Sequence, residues 1–178
     1  NPAWLVTNSI EENVWTTPLG KDGSPTGDSI SVHQGVRTSD AMTFGDGFLL
    51  TTCTTNDEIL LSAFDFASDK SWEQKLGTLC DHTSRPSMAT DGEKLALTWH
   101  DMTGGGHLTF LDEEQQVLAQ VELGSEAHYP SIIYDNGQYI TVDATGQVAT
   151  WSSNGEPLAA WRHPNIEAHE GRAQGFRL

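Results

Sequence analysis

Basic residues are scarce in this chain. Nine Lys and Arg stand against 25 Asp and Glu among 178 residues, a formal net charge of −16. Phosphate binding needs basic patches, so a nucleic-acid partner is excluded. An anionic membrane surface is excluded for the same reason. Long apolar runs are missing too. The longest, Ile59 to Ala67, is broken by Ser62 and Asp65, whereas a membrane helix needs about 20 apolar residues. No membrane insertion is expected. Cysteine occurs twice, as Cys53 and Cys80, too few for a disulfide scaffold and outside a Cys-x-x-Cys spacing. No Asn-x-Ser/Thr sequon and no Gly-x-Ser-x-Gly motif occurs, so N-glycosylation and the serine-hydrolase signature lack support. The chain begins at Asn1 without an initiator Met or a leader-like segment, as a processed or trimmed form would.

What is present is a period. The glycines of Gly45-Asp46-Gly47, Asp91-Gly92 and Asp135-Asn136-Gly137 recur with Gly47, Gly92 and Gly137 spaced by 45 residues. Each turn separates two short apolar runs, the strongest short hairpin signal. Around each turn the sequence predicts four strands. They are 41–45, 48–53, 59–64 and 72–76 in one repeat, then 87–90, 94–99, 107–111 and 117–123, then 131–134, 138–142, 147–151 and 157–161. A first repeat predicts strands at 4–8, 14–17 and 29–32. The stretches 71–79 and 112–126 have helix-forming composition. In the second, however, Val117, Ala119, Val121 and Leu123 alternate at period two, which favours a strand.

Four short strands per 45-residue unit is the signature of a β-propeller blade. The expected fold is all-β, a single β-propeller domain over 1–178 with four blades. The repeats run about 1–39, 40–85, 86–129 and 130–174. The tail Gly175-Phe176-Arg177-Leu178 reads as one more inner strand, and the head through Thr7 as its hairpin partner. The closing strand 175–178 would complete the N-terminal blade and leave no inner edge unpaired. A closed monomer is the direct form; two chains exchanging ends into an eight-bladed ring is the other.

The segment Arg85-Pro86-Ser87-Met88-Ala89-Thr90-Asp91-Gly92 through Trp99 is similar to the repeats of bacterial exported β-propellers, with a Pro, a short strand, Asp-Gly, a second strand and a Trp. The copy from Pro130 carries Asp143 where the Trp would be, and the copy at 41–53 carries Cys53 there. The resemblance implies the fold and a secreted, extracellular or periplasmic location. It implies no particular activity.

Placed on a propeller, the four inter-blade connections and the loops after the second strands share one face around the channel mouth. His33, His82, His128 and His169 fall one per repeat in the inter-blade connections. Four imidazoles converging on an axis suit zinc, copper or iron; ordinary polar loop residues are the plainer reading. Trp99, His100, Asp101, His107 and Tyr129 are a second candidate ligand-binding group, in and beside a Gly-rich loop that lets backbone approach a ligand. Cys53 and Cys80 fall on the same face. A disulfide across this 27-residue separation would stabilise by about 3 kcal/mol and would suit export; two buried thiols are the alternative. The leading expectation is a non-catalytic exported binding module with a His-bearing channel mouth and a transition metal as its candidate cofactor. Its ligand there would be a small molecule, a glycan or a protein. The alternatives are a carbohydrate-binding lectin, with Trp99 or Tyr129 as stacking platform, and a metal-dependent enzyme or glycoside hydrolase using acidic residues such as Glu12, Asp57, Glu58 and Asp143.

Overall fold

The computed structural model describes residues 4–162 apart from Glu11, Lys21, Phe66, Ser68 and Glu126, with backbone alone over Trp4–Ile10. The described residues form strands, turns and no helix. The chain divides into two compact units, Asn1–Thr78 and Leu79–Leu178.

The first unit holds two antiparallel sheets. Trp4–Ile10 (β1), Asn13–Leu19 (β2) and Ile30–Gln34 (β3) form the first, in that order. Val36–Phe44 (β4), Gly47–Thr54 (β5), Glu58–Asp65 (β6) and Lys70–Thr78 (β7) form the second. Every residue of β5 is buried, which is why Phe48-Leu49-Leu50 reads as a continuous apolar run rather than an alternation. Val14, Val36, Phe48, Leu50 and Phe64 make the core, with Phe48 and Phe64 stacked at 5.0 Å.

The second unit repeats the plan. Ser87–Thr90 (β8), Leu95–His100 (β9), Gly106–Leu111 (β10) and Val117–Gly124 (β11) form one meander. Ser131–Asp135 (β12), Gln138–Val142 (β13), Gln147–Trp151 (β14) and Pro157–Arg162 (β15) form the other. The core between these sheets is Ala89, Ala96, Leu108 and Phe110 against Ile132, Tyr139 and Trp151. Fully burying a side chain such as Phe110 contributes roughly 2 kcal/mol. Both stretches of helix-forming composition are strands. In β11, Ala119, Val121 and Leu123 turn towards the core while alternate residues face water. A period of two outweighs helix propensity wherever one face can be buried.

Three expectations are corrected. β4 starts at Val36, inside the first expected repeat, because Val36 N–H bonds the Glu12 carbonyl at 2.8 Å and Val36 pairs with Thr54. His33 therefore lies on β3, paired with Val14, and not in an inter-blade connection. The connection at Asp91-Gly92 is one residue longer than the expected 91–93. Thr90 pairs with Leu95, so four residues make the connection, and Asp91 Oδ1 holds it through the N–H groups of Glu93 (2.9 Å) and Lys94 (2.6 Å). Asn136-Gly137 is a two-residue turn with φ of 48° and 81°, the primed geometry that Asn-Gly favours. The expected closing strand 175–178 and the head turn at Asn1–Ala3 lie outside the described residues.

Candidate functional site

The site lies in the second unit and is built on a local motif. Asp81-His82-Thr83, Asp101-Met102-Thr103 and Asp143-Ala144-Thr145 are all Asp-x-Thr. In each, Asp Oδ1 accepts the Thr N–H at 2.8 Å and the Thr hydroxyl at 2.6–2.8 Å. Asp101 also takes Gly105 N–H (3.0 Å), and Asp143 takes Gln147 N–H (3.0 Å), so each carboxylate closes the turn after its strand. One oxygen is thus spent on the turn and the other is left for a neighbour.

For Asp81 the neighbour is His100. Asp81 Oδ2 faces His100 Nδ1 at 3.3 Å, and His100 Nε2 faces His128 Nδ1 at 3.3 Å. Three segments meet here: the connection before β8, the end of β9, and the connection before β12. His100 is 6% exposed. With Asp81 ionised and both rings neutral, one pattern satisfies both contacts: His100 Nδ1–H donates to Asp81, and His128 Nδ1–H donates to His100 Nε2. That pattern leaves the lone pair on His128 Nε2. Burial alone would raise the Asp81 carboxyl, but hydrogen bonds from Thr83 and His100 outweigh it and hold the group below the usual carboxylate range. Tyr129 completes the cluster, its ring 5.5 Å from His100 and 6.4 Å from His128. Its backbone is left-handed, φ 52°, an uncommon state for a bulky residue.

For Asp101 the neighbour is His107, whose Nε2 lies 2.7 Å from Asp101 Oδ2. The His107 ring stacks on Trp99 at 4.0 Å and 16°. Here too burial would raise the carboxyl, and hydrogen bonds from Thr103, His107 and Gly105 drive it far below its ordinary value. Trp99 is 6% exposed and already covered by His107, so it is no open platform for a sugar. Its indole N–H has no acceptor among the described residues.

The structure thus gathers His100, His128 and Tyr129 with Asp81, and sets Trp99, Asp101 and His107 together beside them. Of the four expected metal ligands, His128 belongs to this cluster. In the first unit, both ring nitrogens of His33 face acceptors, the Gln34 carbonyl at 3.0 Å and Glu73 Oε2 at 3.3 Å. His82 is exposed between Asp81 and Thr83. His169 lies outside the described residues. No three His, Cys, Asp or Glu side chains among the described residues have the arrangement of a metal centre. Cys53 and Cys80 are each disulfide-bonded, and neither is a thiol. Cys53 stands in β5 where His100 stands in β9, one residue before the side chain that holds the next turn, Thr54 or Asp101. Asp81 is the site residue that the spacing argument missed. The recurring Asp-x-Thr was the readable signal.

Consecutive four-stranded meanders with polar side chains gathered at strand ends define the class: the fold is that of a β-propeller. Solved structures agree. The chain is similar to the Dos1 propeller (TM-score 0.65, 13% identity, 90% of this chain and 45% of that one). It is similar to BBS1N in its complex with ARL6DN (0.59, 9%, 92% and 53%). It is also similar to the Neurospora crassa Pan2 WD40 domain (0.56, 10%, 90% and 49%). The chain spans about half the length of each. No protein-family model matches the sequence, and no curated protein does.

Proposed function

We propose that this chain is a non-catalytic binding module that holds a protein ligand at the end of its second unit, where Asp81, His100 and His128 meet beside Tyr129. The observation that carries this is the commitment of the carboxylates. Asp81, Asp101 and Asp143 each spend an oxygen on a turn, and Asp81 and Asp101 spend the other on a histidine. A hydrolase of the two-carboxylate kind needs such groups turned to substrate. BBS1N, similar in fold, is in complex with ARL6DN, which favours a protein ligand over a glycan. The disulfide-bonded cysteines support an exported location, since oxidising compartments keep such bonds. The four sheets are read as four blades, with 175–178 adding the strand that the β1–β3 sheet lacks among the described residues. Removal of 175–178 is then expected to lower the melting temperature; an unchanged value sinks the closure.

The binding reading is tested by passing cell extract and culture supernatant of the source organism over the wild type and over His128→Ala/Tyr129→Ala. A protein held by the wild type and lost from the variant supports it. Equal retention on both rejects this surface. A second reading is a zinc, copper or iron ion, because the hydrogen-bond pattern leaves the lone pair on His128 Nε2. It requires donors beyond the described residues, His169 among them. Elemental mass spectrometry of the untagged protein decides it: one ion per chain, lost in His128→Ala, supports it, and none taken up on incubation ends it.

A further inference from the structure

The connection before β8 presents a second feature beside the histidine cluster. Leu79, Cys80 and Asp81 run antiparallel to His100, Asp101 and Met102. Asp81 N–H bonds the His100 carbonyl at 2.8 Å, Met102 N–H bonds the Leu79 carbonyl at 2.7 Å, and Cys80 bridges Asp101. Leu79 and Met102 are therefore directly opposed. They are 49% and 46% exposed, although both are large and apolar. Leu79 also holds φ at 61°. A branched aliphatic residue in that region costs energy that Gly would avoid, so neither burial nor backbone preference accounts for leucine here. The residue after it is rigid: Cys80 is 1% exposed and disulfide-bonded. The pair is held on a short, braced ladder.

We infer that Leu79 and Met102 are the apolar anchor of the binding surface, and that they enter an apolar pocket on a protein partner whose rim is rich in Lys and Arg. This rests on the reading of the chain as a binding module. A few exposed apolar side chains held rigidly are what an interface hot spot needs, because little freedom is lost when they are buried. Met adapts its shape to irregular pockets. The sign of the rim follows from charge. Asp81 follows two residues after Leu79 on the same face of the ladder, and the chain carries −16 overall. A basic rim is attracted over a distance and an acidic one repelled. The same charge disfavours an anionic bilayer as the surface that covers the pair.

The test is a selection of random peptides displayed on phage against the immobilised, oxidised chain, with immobilised albumin as background. The most enriched peptide is then synthesised and titrated into the wild type, Leu79→Ser/Met102→Ser, Leu79→Gly and His128→Ala/Tyr129→Ala. The expected peptides place an aromatic or aliphatic residue among Lys and Arg. Affinity is expected to fall at least about tenfold in both Leu79 variants, and to weaken with added salt in the wild type. Leu79→Gly is the control for folding: it removes the backbone cost, so its melting temperature should not fall while its affinity does. Acidic or uncharged peptides, or affinity unchanged in the Leu79 variants, overturn the inference. Affinity lost only in His128→Ala/Tyr129→Ala overturns it and leaves the proposed function standing. No enrichment over albumin overturns both.

Discussion

Asp101 shows how much one residue carries at this end of the second unit. Its Oδ1 receives Thr103 N–H, the Thr103 hydroxyl and Gly105 N–H, and its Oδ2 receives His107. Ala at this position leaves those donors without an acceptor, at a cost of about 2 kcal/mol. Asn keeps an acceptor oxygen for the turn and gives up only the charged bond to His107. The expected order of stability in urea is therefore wild type, then Asp101→Asn, then Asp101→Ala. The pH dependence has a definite sign. The folded carboxyl lies below its ordinary value of 3.8, so its contribution is fully present above that pH and is lost as the pH falls towards the folded value. The gap between wild type and Asp101→Ala should be constant near neutrality and narrow in acid. A gap that widens in acid would mean that the carboxylate is not the stabilising form.

At the scale of the element, the turns between first and second strands look alike in sequence and are held by different means. At Gly137 the backbone is left-handed, φ 81°. At Gly47 the requirement is space: a Cβ there would meet the Phe64 backbone carbonyl of β6. Backbone cannot step aside as a flexible side chain can, so Gly47→Ala is expected to destabilise by about 1–3 kcal/mol. Thermal unfolding would show it, and an unchanged midpoint would mean that β5 and β6 part freely. The connection between β8 and β9 is held from the neighbouring sheet. Tyr139 Oη donates to the Lys94 carbonyl at 2.8 Å and accepts from Asp91 N–H at 3.2 Å. The ring is fully buried, and that burial pushes the phenol above its ordinary range. Tyr139→Phe keeps the packing on Phe110 and removes both bonds, an expected loss of about 1–2 kcal/mol. Amide hydrogen exchange should locate the loss at Asp91–Lys94; loss spread evenly over the second unit would contradict a local tie.

For the whole molecule, strand positions were legible because they depend on period and turn residues. Leu95–His100 and Val117–Gly124 lie within a residue or so of where alternation places them. The site was legible only in part. His100, His128 and Tyr129 do meet, but the distance between a side chain and an axis depends on loop lengths that no repeat count contains. A start at Val36 for β4 was enough to move His33 from a connection into a strand. Asp81 was hidden because its role follows from a turn rather than from a spacing between repeats. The two cysteines were open between thiols and a disulfide, and both are disulfide-bonded. By chain entropy, disulfide bonding removes freedom from the unfolded chain, typically about 2–4 kcal/mol. Cys80 is also the residue that braces Leu79 and Asp81. Reduction should therefore act twice. The urea midpoint should fall, and the ring signals of His100 and His128 should shift in NMR spectra recorded well below that midpoint. A lower midpoint with unshifted histidine signals would show that the bond acts on the unfolded chain alone, and that the ladder of Leu79–Asp81 on His100–Met102 holds without it.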